Sequence, residues 1–175
     1  MHPSSIAAMK SCKEFLKHNL HFEGRNVLDV GGRSLSISDD RSYKPIFSDA
    51  ETYEIADIVD GPGVTRIMPN LYCIPFPNEY FDLVVSGQTL EHVPNPFRLV
   101  AEMRRVCSKT GFIIIIVPSS GPRHDVKDYW RFKDDAFEAI SAEVGLEIII
   151  DQINRDAPDQ RSRQWEDHIF IGRRV

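Results

Sequence analysis

The sequence predicts an α/β fold: a mostly parallel sheet wound by right-handed helical crossovers, with an antiparallel hairpin at its C-terminal end. Three observations predict it. "YFDLVVSG" and "GFIIIIVP" are nearly continuous apolar runs, the pattern of strands buried on both faces by helices. The stretch between them carries both a helix start and a helix stop. A further apolar run, "NVLDV", breaks into Gly31-Gly32, and strands alternating with helices in this way form parallel sheets.

In chain order, Ser4 and Ser5 supply a cap before Ile6, Met9, Leu16 and Leu20, with Phe15 beside them at roughly helical spacing, so residues 1–22 form a helix lying against the sheet. "NVLDV" is the first strand of the core, residues 25–175. "ETYEIAD" is the second, ended by "DGPG", and "GVTRIM" is a weak third. "YFDLVVSG" is the fourth and "GFIIIIVP" the fifth. Between them "PNPFRLVAEMRRVCSKTG" starts with Asn95 before Pro96, sets Phe97, Val100, Met103 and Cys107 on one face, and runs to Gly111. "DDAFEAISAEVG" is a helix stopped by Gly145. "LEIIID" and "HIFIGRRV" follow with no helix between them, hence the hairpin. The polar stretch "INRDAPDQRSRQWEDH" is a long surface connection.

Composition narrows the function. At 175 residues the chain is one domain, 1–175. With 42% hydrophobic and 27% charged residues it reads as a soluble protein without a bilayer-spanning run, so no membrane partner is expected. A net charge of −5 with scattered Lys and Arg leaves no basic stripe, so no nucleic-acid partner is expected either. Cys12, Cys73 and Cys107 lack paired or metal-type spacing, which suits free thiols in a reducing compartment. With no leader pattern at the N-terminus, the expected location is cytoplasmic. The sequence sets no oligomeric state.

In an open α/β sheet ligands sit outside the carboxyl ends of the strands. After the first strand come Asp29, Gly31 and Gly32, where small residues admit a ligand close to the backbone. After the second comes Asp57, 28 positions beyond Asp29, where a carboxylate takes both hydroxyls of a ribose. The G-x-G-x-x-G fingerprint and the G-x-x-x-x-G-K phosphate loop are both absent. That counts against a nicotinamide oxidoreductase and favours a nucleoside cofactor without a pyrophosphate.

"VLDVGG", "ADIVDGPGV", "IPFPNEYFDLVVSGQTLEHVPNPFRLVAEMRRVCSKTGFIIIIVPSS" and "DYWRF" together resemble the class I S-adenosylmethionine-dependent methyltransferases, of the small type-11 kind that carries "DYWRF". The resemblance covers roughly residues 25–150. It implies a three-layer Rossmann-like fold on a mostly parallel seven-stranded sheet with an antiparallel C-terminal strand, and S-adenosylmethionine as cofactor. By position in the family's motifs, Asp29, Gly31 and Gly32 belong to the turn around the methionine portion. Asp57, with Ile58 next to it, falls at the ribose diol, Asn70 and Leu71 at the adenine, and Gln88 at the sulfonium end. His92 and the loop from Ser119 to Arg131 fall where relatives build the acceptor pocket. Arg33 and Leu35 replace two glycines of the D-x-G-x-G-x-G pattern, and Asn70 replaces an acid.

The expected reaction is methyl transfer to O or N of a small-molecule or glycan acceptor. His124 is the first candidate base and His92 the second, with Tyr129 a third candidate catalytic side chain. The second reading is a non-catalytic S-adenosylmethionine-binding module supporting a partner protein. Glu91 and His92 together have the chemistry of metal ligands; the plainer reading makes Glu91 a capping residue and His92 a residue near a helix start, so no metal ligand is assigned and the use of a divalent metal stays open. Trp130 and Phe132 are expected to anchor the loop, Arg131 to brace Asp128 or Asp57, and Trp165 to pack.

Overall fold

A computed structural model describes residues 3–34, 42–155 and 164–175. Leu35 of the glycine turn, and the charged stretch from Arg155 to Arg163 apart from Arg155 itself, lie outside the described residues. The chain runs through α1 (Pro3–Leu20), β1 (Asn26–Val30), a 3-10 turn (Lys44–Phe47), β2 (Thr52–Asp57), β3 (Arg66–Ile67), β4 (Phe81–Gly87), a second 3-10 turn (Leu90–His92), α2 (Pro96–Val106), β5 (Cys107–Pro118), α3 (Ala136–Val144), β6 (Leu146–Ile153) and β7 (Asp167–Arg174).

The seven strands form one sheet in the order β3-β2-β1-β4-β5-β7-β6. β1 pairs in parallel with β2 and β4, and β4 in parallel with β5. β7 runs antiparallel between β5 and β6, as the adjacent apolar runs at the end of the sequence require. Val27, Leu83, Val85, Ile114, Ile116 and Ile171 point to one face, where Ala8, Met9, Cys12 and Leu16 of α1 cover them. Leu28, Val84, Ile113, Ile115 and Val117 point to the other, against Leu99, Val100 and Met103 of α2 and Phe137 and Ile140 of α3. Both faces are therefore dry, and each large aliphatic side chain so buried contributes about 1.5–3 kcal/mol of transfer free energy. No helix among the described residues is long and apolar enough to cross a membrane.

Three local readings change. Ser4 and Ser5 do not cap α1: the helix begins at Pro3, which places both serines in its first turn, facing the sheet. There the Ser4 hydroxyl donates to Asp167 Oδ2 at 2.6 Å, and the Ser5 hydroxyl shares a 2.6 Å hydrogen bond with Tyr43 Oη. Leu20, expected on the buried stripe, is exposed. Finally, α2 stops at Val106 rather than Gly111, because Cys107 pairs with Phe81 across an irregularity in the β4–β5 register. β5 thus absorbs "CSKTG", and a Cβ on Gly111 would lie 2.6 Å from the Asp82 carbonyl oxygen.

Candidate functional site

Strand order reverses between β1 and β4, so the carboxyl ends of these strands splay apart and leave a crevice between their following loops. A cleft of about 420 Å³ opens there, within the range of small-molecule sites. Its walls come from the ends of three strands and the turns that follow them: Val30, Gly31 and Arg33 at β1, Asp57, Ile58 and Val59 at β2, and Gln88 and Thr89 after β4. Met68, Leu71, Val93 and Leu99 supply an apolar side; His92 and the segment Asp125–Lys127 close the far rim.

The two glycines are fixed by close contacts. Gly31 has φ +79°, and a Cβ there would stand 2.3 Å from Thr89 Oγ1. A Cβ on Gly32 would stand 2.3 Å from Asp29 Oδ2. Asp29 itself is buried, accepts a 2.8 Å hydrogen bond from Tyr53 Oη, and leaves its other oxygen without a hydrogen bond. Burial pushes its carboxyl up to about 7, the Tyr53 bond opposing and the charge of Asp57 adding to the rise. Asp57 lies at the cleft mouth, where its Oδ1 accepts from the Val59 amide at 3.0 Å. Gln88 adopts a φ of 55°, rare for a residue with a side chain. It is held by a 2.8 Å bond from its amide to the Ile116 carbonyl and a 2.9 Å bond from Nε2 to Asp167 Oδ1.

Gly31, Asp57, Ile58, Leu71, Gln88 and His92 of the sequence-derived set therefore share one cleft. Asp29 and Gly32 lie behind its floor. Asn70 is exposed and outside the lining; its Oδ1 accepts from the Tyr72 amide at 2.8 Å, a local turn that flanks Leu71. Tyr129 is also outside the lining, with 49% of its surface exposed, and contributes its backbone amide, which donates to the Glu91 carbonyl at 2.7 Å. Thr89, Met68, Val93 and Leu99 line the cleft and escaped sequence reasoning. The signal for Thr89 was adjacency to Gln88; Arg33, noted as a departure from the glycine pattern, and Lys127, within the loop assigned to the acceptor pocket, both reach the lining.

His124 is outside the lining and reaches the cleft only through His92 of the far rim, which it meets edge to face with ring centroids 5.1 Å apart, while Trp165 packs on His124 at 4.9 Å. His92 Nδ1 lies 2.5 Å from the Lys127 carbonyl oxygen, an acceptor only, so that nitrogen carries the proton. His124 Nδ1 lies 2.9 Å from Asp128 Oδ2. Arg131 grips both oxygens of Asp128 at 2.5 and 2.7 Å, which holds that carboxyl well below the usual range. Arg131 thus braces Asp128 and not Asp57. His124 is held below its ordinary value, mainly by burial and against the pull of Asp128.

Glu91 is not a cap. It is buried, and neither carboxylate oxygen makes a hydrogen bond. Burial pushes it up to about 8. The second 3-10 turn begins after Thr89 with no side-chain cap. In the loop, Phe132 is buried and stacks on Phe137. Trp130 is 42% exposed and anchors through its indole, which donates to the Val93 carbonyl at 2.9 Å.

Residues 50–115 match the methyltransferase domain family. A phosphatidylethanolamine N-methyltransferase of Cereibacter sphaeroides is 37% identical over 43% of this chain and 43% of its own length. The ubiquinone/menaquinone biosynthesis C-methyltransferase UbiE of Coxiella burnetii is 27% identical over 63% of this chain and 50% of its own. The chain thus spans about half the length of these curated relatives. Among solved structures, the Burkholderia thailandensis 1,6-didemethyltoxoflavin-N1-methyltransferase, with bound 1,6-didemethyltoxoflavin and S-adenosylhomocysteine, superposes with a TM-score of 0.70 at 15% identity, over 98% of this chain and 80% of that one.

Proposed function

We propose that the chain is a class I S-adenosylmethionine-dependent methyltransferase whose cleft holds S-adenosylmethionine and that it methylates an oxygen or nitrogen atom of a small or carrier-bound acceptor, saccharides among the classes to test; the methyltransferase-domain match over residues 50–115 and the similarity to methyltransferase relatives support this reading. The observation that carries this reading is the convergence of Gly31, Asp57, Leu71 and Gln88 on one crevice at the strand-order reversal.

The residues suit that cofactor. Asp57 stands at the cleft mouth, and a carboxylate after the second strand is the group that accepts from a ribose diol. Ile58, 46% exposed, and Leu71 offer flat apolar contact to a purine, and Met68 backs them. Gly31 leaves room at the inner end for an amino-acid moiety, with Thr89 and Gln88 beside it. Asp29 acts as a positioning residue: tied to Tyr53, it fixes the backbone of the glycine turn from behind. Asn70 positions Leu71 through its own turn.

S-adenosylmethionine supplies an already activated methyl group on a positively charged sulfur. What remains for the protein is to align the acceptor and keep water out. Val93 and Leu99 provide a dry wall at the centre of the cleft, and His92 and His124 stand at its acceptor edge. His124, held below its ordinary value mainly by burial, is the first group to accept the proton that a hydroxyl or ammonium acceptor must lose, with His92 the second.

The test is release of S-adenosylhomocysteine with a panel of saccharide, phenolic and amine acceptors. The expected result is turnover with at least one class and a fall of about 10²–10⁴-fold in kcat for His124→Ala, with cofactor affinity retained. Turnover unaffected by both His124→Ala and His92→Ala would contradict the assignment of the acceptor edge.

A further inference from the structure

We propose that Glu91, His92 and His124 bind one divalent transition-metal ion of the zinc class at the acceptor edge of the cleft; its role in the reaction rests on the methyl-transfer reading, its binding does not. One ligand atom from each of the three side chains lies within 4.8 Å of the others. Glu91 Oε1 is 3.7 Å from His92 Nε2. A four-coordinate ion at about 2.1 Å from each ligand needs them roughly 3.4 Å apart. The contraction falls on His124, whose side chain is 37% exposed, against the buried Glu91.

Two independent features point to a ligand. The Glu91 carboxylate has no solvent exposure and no hydrogen bond to either oxygen, a costly state for a buried acid that a cation relieves. Each imidazole, in turn, is oriented through its other nitrogen. His92 Nδ1–H points to the Lys127 carbonyl, and His124 Nδ1 faces Asp128, itself clamped by Arg131 and accepting the His124 backbone amide at 2.9 Å. Outer acceptors that fix the tautomer and leave Nε2 with its lone pair are the usual support for histidine ligands.

The donor set selects the ion. Two imidazoles and one carboxylate suit Zn²⁺ or Co²⁺ and are a poor match for Mg²⁺, which prefers oxygen and keeps its waters. His92 also lines the cleft, so the open coordination position faces the space left for the acceptor. There the ion polarises an acceptor hydroxyl: its proton goes to solvent, the oxygen lone pair forms the bond to the methyl carbon, and the carbon–sulfur bond breaks to leave the thioether. The two imidazoles then act as ligands in place of acting as bases.

The experiment is titration of chelator-treated protein with Co²⁺, read by its visible absorption, and with Zn²⁺, read by calorimetry. S-adenosylhomocysteine affinity is measured on the same samples. The expected result is one ion per chain, no binding of Mg²⁺ at equal concentration, and a loss of about 100-fold or more in affinity for Glu91→Gln and for His124→Ala. Asp128→Asn, which touches only the outer support, loses about 10–100-fold. Retained S-adenosylhomocysteine affinity certifies that the variants fold. Absence of Co²⁺ and Zn²⁺ binding in the intact protein, or equal binding in both ligand variants, overturns the site. Ion binding without S-adenosylhomocysteine binding leaves the site standing and sinks the methyl-transfer reading instead.

Discussion

Asp29 is a carboxylic acid placed where water does not reach, and its neighbours are built around it. Gly32 has no Cβ because Asp29 occupies that space, and Gly31 has none because Thr89 does. Gly31→Ala forces a side chain into a left-handed backbone against Thr89. It is expected to cost about 1–3 kcal/mol, read from the denaturant midpoint, and to abolish cofactor binding. Asp29 also gives stability a pH dependence. Its carboxyl, pushed up to about 7, ionises near 4 in the unfolded chain. The contribution is whole below that lower value and is lost as pH rises through the folded one. Glu91, pushed up to about 8, acts with the same sign. The melting temperature of the metal-free protein is therefore expected to fall from about pH 5 to about pH 8, and less steeply in Asp29→Asn; an unchanged slope in the variant contradicts the assignment. The sequence placed Asp29 and both glycines at the right turn, since strand-ending glycines are a local signal. It could not show that Tyr53, on the neighbouring strand, holds Asp29 back from the cleft, because that contact depends on the β1–β2 register.

Elements with local end signals follow the sequence; elements set by distant partners depart from it. α2 begins where Asn95 accepts from the Arg98 amide at 3.2 Å, and α3 ends at Gly145 with a φ of 74°. Asn95→Ala should lose about 1 kcal/mol of stability while leaving S-adenosylhomocysteine affinity unchanged, separating the cap from the cleft. The helix α1 is different. Its serines read as a cap, yet Ser5 satisfies the buried Tyr43 hydroxyl and Ser4 shares Asp167 with Gln88. Ser5→Ala strands that hydroxyl and is expected to cost about 1–3 kcal/mol, measured by chemical denaturation; a neutral effect would mean that Tyr43 finds another partner. The premature start of β5 and the burial of Glu91 were both beyond local reading. The first depends on a bulged pairing with β4. The second depends on the loop after β5 folding back, so that the Tyr129 amide bonds to the Glu91 carbonyl.

At the scale of the whole molecule, a sheet with both faces covered leaves only its strand ends for function, and the order β3-β2-β1-β4-β5-β7-β6 puts its reversal between β1 and β4. The alternation of apolar runs with capped helices made that architecture legible from the sequence, down to the antiparallel last strand. The same topology gathers Gly31, Asp57 and Gln88, which are far apart in sequence, around one cleft. What the sequence could not show is that His92 and His124, from two separate loops, come into ring contact, because no periodicity encodes the mutual packing of loops. The measurement to make first is calorimetric titration of the protein and of Asp57→Ala with S-adenosylhomocysteine. The geometry predicts one site per chain in the intact protein and a loss of at least about thirtyfold in the variant, as expected when a carboxylate that bonds a diol is removed. No binding by the intact protein, or equal binding by the variant, would contradict the assignment of this cleft to the cofactor.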